Sequence, residues 1–110
     1  METFGGGLGG RGEVCGAVIG GLAAIGLMFG RDKVGVETDG NIWIYSRKFL
    51  KRFEKEIAEG SILCRDIAQT NWLDPVQVKA YGQGEKFLKC RILTGKTAGL
   101  IGELIEQTKV

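Results

Sequence analysis

A chain of 110 residues, 44% hydrophobic and 25% charged, has the balance of one globular domain, and a net charge of +2 is too small to mark a nucleic-acid surface. Histidine is absent, which excludes Ser-His-Asp and Cys-His catalysis, His-containing zinc sites and c-type haem attachment. Three cysteines cannot all pair within one chain and no CxxC occurs, so free thiols in a reducing cytoplasm are the simple reading.

In chain order, residues 1–12 form a glycine-rich loop. A helix follows over 13–29, stopped by Gly30. From Val14 to Gly30 there are 17 uncharged residues, the short limit for a membrane span, but five of them are glycine. A buried core helix is the expectation, and membrane insertion is not. No basic lead or A-x-A-like cleavage site marks a signal peptide. Its glycines and alanines would let neighbouring helices approach closely, within the chain or across a homodimer.

Asp39-Gly40 is a hairpin signal between apolar residues. Against it, Ile42, Tyr45, Phe49, Phe53 and Ile57 recur at steps of 3, 4, 4 and 4, one face of a helix. The longer pattern predicts a helix over 40–59, with Asp39 as N-cap and Gly60 as stop. Basic Arg47, Lys48, Lys51 and Arg52 are followed at once by Glu54, Glu56 and Glu59, a solvated face. Ser61 is the expected cap of a helix over 61–70. Residues 71–81, holding the only proline, Pro75, read as a connection with room for one helical turn. The last helix covers about 86–107, and Gly99 and Gly102 within it suggest another close contact. The fold class is therefore all-α, a small bundle of about four helices in a single domain, 1–110.

Two glycine motifs mislead. Gly5-x-Gly7-x-x-Gly10 matches the dinucleotide fingerprint, but only Met1 to Phe4 precede it, with no room for the required strand. Gly95-Lys96-Thr97 resembles a phosphate-loop tail, but Cys90 stands where its first glycine should be. No nucleotide is expected.

The chemistry rests with the thiols. Cys15 falls in the first turn of its helix, Cys64 three residues after Ser61, and Cys90 near the start of the last helix. Unpaired N–H groups at a helix start favour a thiolate and lower its pKa. Glycine leaves the chain free to fold tightly beside Cys15. Buried cysteine as a small hydrophobe is the competing reading, and Phe49, Phe53, Trp43 and Trp72 read as packing.

Phe4 with Gly5, Gly6 and Gly7, then Cys15-Gly16-Ala17-x-x-Gly20, then Gly60-Ser61-x-x-Cys64-Arg65, then Lys89-Cys90, resemble the C-GCAxxG-C-C family of redox-active proteins over nearly the whole chain. The resemblance implies a small helical domain with cysteine-based redox activity. The family is named for four cysteines. This sequence resembles a member without the N-terminal helix that carries the first.

Two chemistries follow. In one, Cys15, Cys64 and Cys90 gather for thiol–disulfide exchange or electron transfer with an unidentified redox partner, Cys15 attacking and another thiol resolving, with Gly5, Gly6, Gly7 and Gly16 forming the loop around the site. Exchange needs Cα atoms within about 7 Å. In the other, the same thiolates bind zinc or an iron–sulfur cluster with a borrowed fourth ligand. A structural or interaction module with buried cysteines is the third reading.

Overall fold

The computed structural model describes residues 2–31 and 33–108. Met1, Asp32, Lys109 and Val110, which the expected domain includes, lie outside the described residues. Among those described there are five α-helices and no strand: α1 Gly16–Phe29, α2 Asn41–Arg52, α3 Cys64–Ile67, α4 Pro75–Gln83 and α5 Glu85–Thr108. Before them, Glu2–Phe4 makes one 3₁₀ turn.

Helix α1 begins at Gly16 rather than at residue 13, because Val14 pairs with Leu63 in an isolated antiparallel bridge and holds Glu13 to Cys15 extended. Its inward positions are Val18, Gly21 and Ile25, spaced 3 and 4 apart. Of its glycines only Gly21 makes the close approach that the sequence suggested: its backbone lies against the Phe49 ring, where a Cβ would collide with three ring carbons. At Gly20, Gly26, Gly99 and Gly102 an added Cβ would meet open space, so the contact expected at Gly99 and Gly102 is not made.

Helix α2 carries the apolar face that the steps of four describe. The Asp39 carboxylate accepts from the Asn41 N–H at 2.9 Å, although Gly40 occupies the cap position itself. Steps of four overshoot a helix of 3.6 residues per turn by about 40° each. The chain absorbs that drift by widening: Phe53–Ile57 is a π turn, in which the Ala58 N–H reaches the Phe53 carbonyl at 2.9 Å. Phe49 and Phe53 thus both stay fully buried. Gly60, with φ +106°, ends the segment.

The expected helix over 61–70 shrinks to α3. Its first residues are taken by the pairing with Val14, and Leu63 is its cap. The Ser61 hydroxyl instead accepts from the Leu63 N–H at 3.0 Å and donates to Asp66 at 2.7 Å. The expected connection over 71–81 is largely helix α4. Pro75 starts it, because a first-turn residue needs no N–H partner, and the Asp74 carboxylate accepts from the Val76 N–H at 3.0 Å.

Val18, Ile25, Phe49, Phe53, Ile67, Leu93, Leu100 and Leu104 form one core between α1, α2 and α5. Arg52 ties the π turn to α5, contacting Glu56 at 2.6 Å and Glu103 at 2.9 Å. Helix α4 packs on α5. Helix α5, about 36 Å long at 1.5 Å per residue, accounts for most of the longest dimension, 49 Å. Among the described residues no helix is long and apolar enough to cross a membrane.

Candidate functional site

The glycine loop is a left-handed run. Gly6, Gly7, Leu8, Gly9 and Gly10 all have φ between +61° and +75°. An L-residue loses about 1–2 kcal/mol there, so four of the five being glycine is what makes the run feasible. The run turns the chain back so that residues 12–15 lie along 62–65. The Gly12 carbonyl accepts from the Arg65 N–H at 3.1 Å, that of Glu13 from the Cys64 N–H at 2.6 Å, and the Cys15 N–H donates to Ile62 at 2.8 Å.

This ladder relates two thiols. In extended backbone, alternate side chains fall on opposite faces, and Cys15 and Cys64 each follow a member of the Val14–Leu63 pair. In the register of that pair they are diagonal to one another. Such neighbours have Cα atoms about 7–8 Å apart, at the edge of disulfide range. Gly7 lies beneath: a Cβ there would sit 2.6 Å from the Cys64 Cβ. A Cβ at Gly6 would meet Trp72 at 3.2 Å. Gly5 and Gly16 stand apart from these contacts, Gly5 closing a turn on the Glu2 carbonyl at 2.9 Å and Gly16 opening α1 near the Phe4 carbonyl.

Cys64 is buried and is the first residue of α3. Burial pushes its thiol pKa up. The Trp72 indole N–H, 3.4 Å from Sγ, works the other way, and charge on Cys15 and on Cys90 adds to the rise. The lowered pKa expected at a helix start is therefore reversed at Cys64: a four-residue helix has little dipole, and desolvation dominates. Cys15, half-buried, caps α1. Cys90, also half-buried, is the sixth residue of α5 and so lies past its start. Burial first, then the neighbouring Cys90 thiol and charge on the three cysteines, raise the Tyr81 pKa. Cys15 and Cys90 thus each lie within electrostatic reach of Cys64, and all three of Tyr81. Trp72 and Tyr81 meet edge to face at 4.7 Å, linking the surroundings of Cys64 and Cys90.

Trp72 and Tyr81 were not legible as site residues. Their proximity to sulfur depends on α4 folding back on α5, which nothing local encodes. The one signal was an aromatic pair in the segment between two cysteines.

Because both the Cys64 and Tyr81 pKa values are raised, the native state holds those protons where the unfolded chain has released them. Their stabilisation is complete below the ordinary thiol value of about 8.5 and is lost as pH rises through the folded-state values. Urea midpoints should fall on the alkaline side, less steeply in Cys64→Ala and Tyr81→Phe. Trp72→Phe removes a hydrogen bond that lowers the Cys64 pKa, so alkylation of Cys64 at fixed alkaline pH should slow.

Among the described residues no group of three or more Cys, Asp or Glu side chains could hold a metal ion. Among the described residues Cys15, Cys64 and Cys90, the set expected for zinc or an iron–sulfur cluster, do not form such a group.

Residues 1–104 match the family model described as "Putative redox-active protein (C_GCAxxG_C_C)". No curated protein and no solved structure matches the chain significantly. Against the motif in the family's name, cysteine and glycine are exchanged: Cys15-Gly16-Ala17 stands where the motif has Gly-Cys-Ala. The sulfur is thereby carried on the cap residue rather than on the first residue of α1. With 104 residues matched, an all-α fold and a glycine loop set against the second cysteine, the chain belongs to the C_GCAxxG_C_C family.

Proposed function

We propose that the chain is a thiol–disulfide exchange protein, with Cys15 as attacking thiol and Cys64 as resolving thiol. The Cys15 thiolate attacks one sulfur of a substrate disulfide, forming a mixed disulfide and releasing the other sulfur as a thiolate, which takes up a proton. Cys64 then loses its proton and attacks the Cys15 sulfur, forming a Cys15–Cys64 disulfide and expelling the second substrate thiolate. The dithiol is oxidised by two electrons and one disulfide is reduced to two thiols.

The observation that carries this reading is the ladder of residues 12–15 on 62–65, with cysteine at diagonal positions of its register. The roles follow from the environments. Half-buried Cys15 is open to a partner, whereas buried Cys64, its thiol held protonated, is a poor first attacker and needs only an adjacent sulfur. Three unpaired cysteines support a reducing, cytoplasmic setting. Cys90, within electrostatic reach of Cys64, is the alternative resolving thiol.

Trapping tests the assignment. Cys64→Ser treated with a small disulfide should accumulate a mixed disulfide on Cys15, seen as a mass adduct on the peptide containing it, whereas the wild type passes to an adduct-free, oxidised chain. A wild type that retains the adduct as fully as the variant would overturn the resolving role of Cys64.

A further inference from the structure

The indole partner of Cys64 also lines a cavity of about 350 Å³, together with Arg11, Arg65, Gln69, Asn71 and Gln77 among others. That size falls at the lower end of small-molecule sites. None of its lining residues is acidic.

Two cations are held together there by backbone. The Gly12 carbonyl accepts from the Arg65 N–H at 3.1 Å, which sets Arg65 beside the residue that follows Arg11. Gly12, at φ +74°, lets the two segments close: a Cβ on it would stand 3.0 Å from that of Arg65. Like charges so placed repel, and little nearby offsets them. Arg11 has one loose, exposed ion pair with Glu13 at 3.8 Å. Arg65 has no ion pair among the described residues. Asp66 is engaged by the Ser61 hydroxyl. Asp74 takes the Val76 N–H and the Gln77 amide.

The amides of the wall are already oriented. The Gln77 Oε1 accepts from the Asn71 N–H at 2.9 Å, and the Asn71 Oδ1 accepts from the Leu73 N–H at 3.0 Å. With that oxygen engaged, the Nδ2 amide of Asn71 is left as a donor. Guanidinium groups, an amide donor and an indole face are the recognition set for a carboxylate on a small organic body.

We infer that this cavity binds the carboxylate-bearing half of a small thiol or disulfide, making low-molecular-weight acidic disulfides the substrates of the thiol pair. The inference rests on the exchange reading above for its substrate role, but the binding itself does not. Trp72 belongs to both places, lining the cavity and donating its N–H to the Cys64 sulfur at 3.4 Å. A carboxylate held between the arginines brings its attached sulfur to the indole beside the thiols.

Two measurements separate binding from chemistry. S-methylglutathione, an acidic thioether that cannot exchange, should change the tryptophan fluorescence saturably in the wild type, and the change should vanish in Arg11→Gln/Arg65→Gln, whose replaced side chains are exposed. No saturable change in the wild type, or an unaltered one in the double variant, would overturn the site. In parallel, thiol oxidation by dianionic 5,5′-dithiobis(2-nitrobenzoate) should slow about tenfold in the double variant and with added salt, while oxidation by uncharged 4,4′-dithiodipyridine stays unchanged. Equal rate losses with both reagents would overturn the charge recognition. Saturable fluorescence with thiols inert to both reagents would uphold the anion site and remove the exchange reading instead.

Discussion

Phe49→Ala is expected to lower the unfolding free energy by about 3–5 kcal/mol, the range for deleting a buried aromatic ring. Against a total of about 5–15 kcal/mol for a domain, that is enough to leave the chain marginal. Phe49 is fully buried, stacks obliquely on Phe53 at 6.1 Å and fills the space that Gly21 leaves on α1. Ring and glycine are one device, so the reverse substitution should also be costly. Gly21→Ala drives a methyl into the ring and should lose about 1–3 kcal/mol, despite alanine being the better helix former. The pair should not add: in a Phe49→Leu background, where the ring carbons facing Gly21 are gone, the cost of Gly21→Ala should shrink or change sign. Urea denaturation of the four chains measures this. Additive losses would mean that α1 and α2 do not meet as described.

Gly7→Ala is the second large effect, and it connects the loop to the site. At φ +73° an alanine is disfavoured by about 1–2 kcal/mol, and its Cβ would fall 2.5 Å from the Glu13 nitrogen and 2.6 Å from the Cys64 Cβ. Neither neighbour is the free end of a flexible side chain. Adding about 1–3 kcal/mol for overpacking gives roughly 2–5 kcal/mol in all. Relief would require residues 12–15 to part from 62–65, which is the arrangement the exchange proposal uses. Gly7→Ala should therefore lose stability and Cys64 protection together, read as a lower urea midpoint and faster alkylation of Cys64 under native conditions. Gly9→Ala is the control. It shares the left-handed backbone, with φ +64°, but has nothing within 4 Å, so it should show only the conformational part of the loss.

These contrasts indicate what the sequence could and could not convey. Helix α2 was legible because its apolar residues repeat along one element. Even the π turn was latent in steps of four, which an ideal α-helix cannot keep on one face. The all-α class followed from such patterns. Ser61 reads as the cap of a longer helix α3, and only the partner segment at Val14 decides that residues 62 and 63 are extended. Helix α4 runs longer than the single turn that residues 71–81 suggest, because Asp74-Pro75 is a helix start. The cysteines stood out as residue types, and the glycines as a loop. That Gly7 rather than Gly5 or Gly16 lies against Cys64, and that Trp72 and Tyr81 serve the sulfurs, depends on long-range contacts that a local pattern does not hold.

The central claim is tested most directly by mapping the disulfide formed when the purified, reduced chain is mildly oxidised at low concentration and then digested with remaining thiols blocked. The account predicts an intramolecular Cys15–Cys64 link as the first product, with Cys90 recovered as the blocked thiol. Recovery of Cys15 and Cys64 as blocked thiols, with oxidation confined to links between chains, would contradict it.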